Sequence, residues 1–176
     1  MKAPKLPPSP PLVVVALGSN QGDSRQIMVD ALGRLQELSA GPLLKSSLWQ
    51  SSPVDCPPDS PRFINAAAGL VPLAGESPES LLLKLQGLEK EFGRRLKQVL
   101  NEPRPLDLDL IAFGSEVRQQ TNLILPHPRA HQRRFVLQPL AEIAPDLVLP
   151  GQKLPVLDLL VGLPPGEAVN WISSPR

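Results

Sequence analysis

A chain of 176 residues is long enough to bury one substantial core and short for two domains, and 41% apolar residues fit a globular protein. A formal charge of +1, from 18 Lys and Arg against 17 Asp and Glu, argues against a general nucleic-acid or membrane-surface binder, so any anion site must be local. The one cysteine, Cys56, can neither staple the fold nor complete a zinc ligand set, which fits a reducing, cytoplasmic setting, and no apolar run reaches the length of a membrane span.

Residues 1–11 read as a proline-rich extension without the apolar stretch of a signal peptide. The run Leu12 to Leu17 is then β-rich and apolar enough to be buried on both faces, and it stops at the turn Gly18-Ser19-Asn20-Gln21-Gly22-Asp23. That turn could cradle a phosphate or serve tight packing; in isolation both readings stand. Asp23 or Ser24 can cap a helix in which Ile27, Met28, Ala31, Leu32, Leu35 and Leu38 recur at helical spacing, ending near Gly41-Pro42.

Leu43 to Gln50 reads as a second strand and Phe63 to Leu70 as a third, joined by a loop rich in Pro, Ser and Asp. Asn65 stands inside an otherwise apolar strand, as a structural hydrogen-bonder or a ligand reader. Ser77-Pro78-Glu79 opens a second helix with its core stripe on Leu81, Leu82, Leu85, Leu88 and Phe92. Gln86, Glu89 and Arg94 fall off that stripe, where a solvated face is the ordinary explanation. Gly93 ends this helix, and Arg95 to Glu102, lacking any period, reads as a basic, mobile loop.

The stretch Pro103-Arg104-Pro105-Leu106-Asp107-Leu108-Asp109-Leu110 follows. Side chains alternate along a strand, so Leu106, Leu108 and Leu110 point one way and Asp107 and Asp109 the other. Two adjacent carboxylates repel unless a cation bridges them, and such a pair suits Mg²⁺, with Arg104 the natural partner for an anion the metal brings. Beyond it, Val117 to Leu125 contributes short extended pieces, Phe135 to Ile143 a short helix, and Leu154 to Val161 a last one. Residues 164–176 form a tail poor in packing groups apart from Trp171 and Ile172, expected to be loosely held. The element order β-α-β-β-α-β is the ferredoxin-like α+β pattern, a mainly antiparallel sheet with helices on one face, in a single domain over residues 12–163.

Several of these motifs, taken together and in order, resemble the 6-hydroxymethyl-7,8-dihydropterin pyrophosphokinases of folate biosynthesis. They are Leu17-Gly18-Ser19-Asn20 with Gly22-Asp23, Phe63-Ile64-Asn65-Ala66-Ala67, Glu89 through Gly93-Arg94, Pro103 to Asp109, Pro126-His127-Pro128-Arg129 and Arg133-Arg134-Phe135-Val136-Leu137. The likeness runs from Val13 to about Gly151. It implies transfer of pyrophosphate from ATP to the pterin hydroxymethyl, giving AMP, in a cytoplasmic monomer whose partners are small molecules. By the same resemblance, Asp107 and Asp109 hold two Mg²⁺ ions, and Arg94, Arg104 and Arg133 face the triphosphate. Gln86, Glu89 and His127 would contact the nucleotide. For the pterin, Phe63 and Phe135 match the ring sandwich, Asn65 the amide that reads its edge, and Ser51 and Val54 the loop lining the pocket. Leu96, Leu100 and Glu102 depart from the family pattern.

A flat heterocycle stacks well between two aromatic faces, and this chain has only four Phe and two Trp with which to do it. A primary alcohol attacking phosphorus needs positioning and charge neutralisation more than covalent help, and no nucleophile-base pair is visible. Two other readings compete. Gly18-Ser19 with a later Asp-x-Asp superficially resembles nucleotidyltransferases, and the departures in the basic loop make a non-catalytic nucleotide or pterin binder thinkable.

Overall fold

The structure, a computed structural model, describes residues 9–96 and 99–174. Its centre is strand β1, Val13–Ser19, six of whose seven residues are buried because β1 has a neighbour on each side. Those neighbours are β4, Phe63–Leu70, and β5, Asp107–Phe113. β3, Leu48–Ser51, pairs with β4 farther out, and β8, Val169–Ser173, forms the edge beyond it. Two residues of β2, Leu44–Lys45, also pair with β4, and every pairing in this sheet is antiparallel. The β-α-β-β-α-β expectation is met by β1, helix α1 (Ser24–Glu37), β3, β4, helix α2 (Pro78–Glu91) and β5.

The helices do not all lie on one face. Val13, Val15 and Leu17 pack with Met28 and Leu35 of α1 and Leu81 and Leu85 of α2. Val14 and Ala67 face the other way, under Val136, Leu137 and Leu140 of α3 (Arg134–Ile143) and Val156 and Leu160 of α4 (Val156–Val161). A central strand apolar on both faces would leave one of them wet in a two-layer fold, so the chain's last helices close a third layer.

Other boundaries follow from local chemistry. Asp23 caps α1 by accepting the Gln26 N–H at 3.2 Å. The helix ends at Glu37, short of Gly41-Pro42, because the chain turns to meet the sheet: Ala40 N–H donates to Val71 O at 2.8 Å. The second expected strand is divided at Ser46 and Ser47. The Ser46 hydroxyl accepts the Ala67 N–H at 2.8 Å, and Ser47 donates its N–H to Glu142 on α3 at 2.9 Å and its hydroxyl at 2.6 Å. A hairpin of β6 (Arg118–Gln120) and β7 (Leu123–Leu125) follows β5.

A bulge in β5 places the acidic pair. Val14 aligns with Ala112 while Val15 aligns with Leu110, so Ile111 is the extra residue. Both Ile111 and Ala112 join the core under α3, and Leu108 and Leu110 stay in the core under α1 and α2. Asp107 and Asp109 therefore emerge on the α3 side. The carbonyl of Ile111 accepts the His127 N–H at 2.8 Å, drawing that histidine to the same side.

The tail from Pro164, expected to be loosely held, instead supplies β8, with Trp171 opposite Trp49 and Val169 opposite Ser51. Alternation there is weak, half-exposed on both faces, which is why the strand was not legible. No helix among the described residues is long and apolar enough to cross a membrane. Residues 1–8 of the proline-rich extension, and Lys97 and Gln98 of the basic loop, lie outside the described residues.

Candidate active site

Small residues on β1 open a hollow on the α3 face of the sheet: Ala16 lies opposite Asp109 and Gly18 opposite Asp107 in the β1–β5 register, and neither has a side chain large enough to fill the space. The resulting cleft, about 790 Å³, is lined by every residue assigned above to metal, nucleotide or pterin. Asp107, Asp109 and Arg104 come from β5 and its entry, Gln86 and Glu89 from α2, and Arg94 from the turn after it. Ser51, Phe63 and Asn65 come from β3 and β4, Val54 from the loop between, His127 and Arg133 from the segment leading into α3, and Phe135 from its first turn.

Its polar half is a lattice of alternating charge. One Arg94 guanidinium nitrogen donates to Glu89 Oε1 at 2.6 Å and to Asp107 Oδ1 at 2.7 Å. The tight turn that aims it uses Gly93 at φ 94°, a conformation that a side chain would oppose. Arg104 Nε stands 3.8 Å from Asp107 Oδ2, too far for a hydrogen bond, and is the one buried side-chain polar atom without a partner among the described residues. A donor left over in such a place can be satisfied by a ligand, an ion or a water entering the cleft.

Glu89 is not on a solvated face. It is 8% exposed, and its Oε1 also accepts the Leu108 N–H at 2.8 Å, so the carboxylate ties α2 and Arg94 to β5. Periodicity puts it off the leucine stripe but cannot show that β5 and Arg94 cover that side. Burial raises its pKa against the opposing pull of the Leu108 N–H and Arg94. Asp109 is pushed up to about 7 by burial first, then by the charges of Asp107 and Glu89, with Arg133 and Arg104 opposing. His127 goes down, through burial and then the nearby Arg133 and Arg129. Its Nδ1 accepts the Arg129 N–H at 3.2 Å, which leaves Nε2 as the N–H donor of a neutral imidazole.

The apolar half holds two aromatic rings. Arg104 lies 5.5 Å over the Phe63 ring and Arg133 5.5 Å over that of Phe135. In the same cleft, Asn65 Nδ2 donates to Ser51 Oγ at 2.7 Å, which fixes the amide's orientation inside β4.

Several residues that frame the cleft were given no site role from the sequence. Asn20 accepts the Arg104 N–H at 2.9 Å, donates its own N–H to Arg104 O at 3.1 Å, and reaches Pro61 O at 3.2 Å. The Gly18-Ser19-Asn20 turn thus joins β1 to the entry of β5, the packing reading of the two. Glu142 accepts the Trp49 indole N–H at 3.1 Å as well as both Ser47 donors, anchoring β3. Cys56 lines the cleft, and Asn101 Nδ2 donates to Asp55 O at 2.7 Å, linking the two loops that flank it.

Comparison with known proteins gives the family. A family model described as 7,8-dihydro-6-hydroxymethylpterin-pyrophosphokinase matches residues 14–145. The chain is 42% identical over 147 residues to the Pseudomonas aeruginosa 2-amino-4-hydroxy-6-hydroxymethyldihydropteridine pyrophosphokinase, covering 82% of this chain and 88% of that protein. With the Haemophilus influenzae protein of the same name it shares 40% over 141 residues, 80% of this chain and 86% of the other. The folic acid synthesis protein fol1 of Pneumocystis carinii is 38% identical over 138 residues, 78% of this chain but 18% of that longer protein. Among solved structures, a Plasmodium falciparum HPPK-DHPS A437G chain with SDX-DHP matches with a TM-score of 0.66 at 14% identity, over 89% of this chain and 46% of that one, a likeness of fold alone. With the cleft, the ordered motifs and these matches in agreement, the chain belongs to the 7,8-dihydro-6-hydroxymethylpterin-pyrophosphokinase family, the ATP-dependent pyrophosphoryl transferases of folate biosynthesis.

Proposed function

We infer that the cleft carries out this transfer with the residues named above, and the supporting observation is that Asp107 and Asp109 share one cleft with three arginines and two phenylalanines. The pterin lies between Phe63 and Phe135, its amide edge read by Asn65 and its side framed by Ser51 and Val54. ATP places its triphosphate along Arg94, Arg104 and Arg133, with Gln86 and the His127 Nε2–H on the nucleotide. Glu89 acts mainly through Arg94, since its carboxylate is occupied by that guanidinium and the Leu108 N–H.

The acidic pair suits a pair of Mg²⁺ ions. Among the described residues no cluster of three or more His, Cys, Asp and Glu forms a closed cage, and Mg²⁺ ordinarily takes one or two carboxylates and completes its shell with water and phosphate. Burial first, and then the charges of Asp107 and Glu89, raise the Asp109 pKa, and a cation beside the carboxylate would favour its charged form. When bound, the metal neutralises phosphate charge and orients the transferring group. Asp107 and Asp109 would hold it, the arginines steady the phosphates, and the aromatic slot holds the hydroxymethyl near phosphorus; no covalent intermediate on the protein is required. The enzyme acts as a cytoplasmic monomer on small molecules, without nucleic acid or membrane, and residues 12–163 are its catalytic domain.

Incubation with ATP, Mg²⁺ and the pterin alcohol tests the reading. AMP and a pterin diphosphate are expected. Release of inorganic pyrophosphate would indicate nucleotidyl transfer, and no nucleotide product a binding protein. For the pterin slot, Phe135→Ala should weaken pterin binding by about 1–3 kcal/mol, as loss of a stacked aromatic face does; unchanged affinity in calorimetry removes Phe135 from the pocket.

The loop from Arg95 to Glu102 is proposed to close over both ligands, drawn by Arg94, Arg95 and Lys97, since Leu96 and Leu100 cannot clasp phosphate. The Asn101–Asp55 contact and the exposure of Leu96 and Leu100 support a segment that still has surface to bury. Hydrogen exchange over residues 94–102 should slow when a non-hydrolysable ATP analogue and pterin are both present; identical exchange in both states would exclude a lid.

A further inference from the structure

The residues after Leu163 lie outside the stretch that the family model matches, yet they reach the cleft wall. Helix α3 starts directly after Arg133, and Arg133 provides no side-chain cap. The first N–H groups of a helix have no partner within it. Here two are satisfied from far downstream: Arg134 N–H donates to Glu167 Oε2 at 3.2 Å and Phe135 N–H donates to Glu167 Oε1 at 3.2 Å. Both carboxylate oxygens are used, and the negative charge meets the positive end of the helix dipole. Two residues later Glu167 runs into β8, where Val169 pairs with Ser51. One short segment therefore touches the backbone of both Phe135 and Ser51, two residues that line the cleft.

We propose that Glu167 is a positioning residue for pterin recognition, a cap supplied by the C-terminal segment that sets where the Phe135 ring stands. The inference rests on the reading of Phe135 as a wall of the pterin slot. Arg133 is held by other bonds: its N–H donates to Ala130 O at 3.3 Å, and its carbonyl accepts from Val136 at 3.1 Å and Leu137 at 3.0 Å. Loss of Glu167 should therefore disturb Phe135 more than Arg133, and pterin binding more than nucleotide binding.

The full chain carrying Glu167→Ala or Glu167→Gln tests this, beside Phe135→Ala. Calorimetry reads the affinity for a non-hydrolysable ATP analogue alone, and for the pterin alcohol with the analogue present. For Glu167→Ala the pterin Kd and KM should rise roughly five- to tenfold, the value of a lost cap, with a smaller fall in kcat. Glu167→Gln, which keeps one acceptor, should lie between that and the unaltered protein and carries the test if the alanine variant does not fold. Nucleotide affinity should stay within about twofold, since the bonds to Arg133 survive. In a Phe135→Ala background, removing Glu167 should add little further loss of pterin affinity. If Phe135→Ala weakens pterin binding while both Glu167 variants leave it unchanged, the positioning role is wrong and the pterin reading stands. Equal losses for pterin and nucleotide would make Glu167 merely structural. If Phe135→Ala itself leaves pterin affinity unchanged, the underlying reading of the slot fails.

Discussion

Asp109→Asn is expected to lower turnover by about two to three orders of magnitude while raising the melting temperature of the metal-free protein. The two effects have one cause. Asp109 is held among Asp107, Glu89 and the cleft walls, and its pKa is pushed up to about 7 from the 3.8 of an unhindered carboxyl. A carboxyl whose folded pKa exceeds its unfolded one is most favourable to folding when protonated, below about pH 4, and that stability is lost as pH rises through the folded value. Asparagine removes the charge at nearly constant shape, so its advantage should grow from about pH 4 to 7 and level off above. The same charge is what the bound cation and the phosphates need, so stability is exchanged for function at this position. Single-turnover AMP formation and melting in a chelator, each across pH, check the pair of effects. Near-normal turnover would remove Asp109 from the metal site, and a melting temperature lowered throughout would show that its charge is not a burden. Asp107→Asn should lose comparable activity without the gain in stability, because Asp107 accepts from Arg94 at 2.7 Å and lies near Arg104.

Glu89→Ala is the second large effect, expected first in stability. The substitution strands the Leu108 N–H inside the protein and takes away one of the two carboxylates holding Arg94. Leaving a buried donor and a half-buried cation short of partners costs about 2–4 kcal/mol. Arg94 retains Asp107, so its guanidinium should tilt and nucleotide affinity should fall in addition. Glu89→Gln keeps an acceptor for Leu108 and should recover most of the stability but less of the nucleotide affinity. Denaturant melts and calorimetry with the ATP analogue separate the two. If glutamine and alanine prove equally mild, the Leu108 and Arg94 bonds are not what Glu89 is for.

What the sequence by itself determined is what local periodicity and backbone chemistry govern. The alternation of Leu106, Leu108 and Leu110 with Asp107 and Asp109 showed a two-faced strand, and Phe63–Leu70 appears as a strand with the bounds its composition suggested. Asp23 and Ser77 announced their helices because a side-chain oxygen three residues ahead of an orphan N–H acts within one turn. The ordered motifs also named the family.

What only the tertiary structure decided involves partners distant in the chain. Gly18 and Asp107 are far apart in sequence, yet antiparallel pairing sets them side by side. Sequence separation is therefore no guide to which motifs share a site, and it was the family match that settled the activity. Glu89 looked solvated because helical spacing describes one helix and not what packs on it. The third layer, with α3 and α4 on the far face, followed from the need to cover both sides of β1, which no single segment records. Glu167 and β8 were invisible for the same reason: a weakly patterned strand and one carboxylate acquire meaning only when Ser51 and the start of α3 lie beside them.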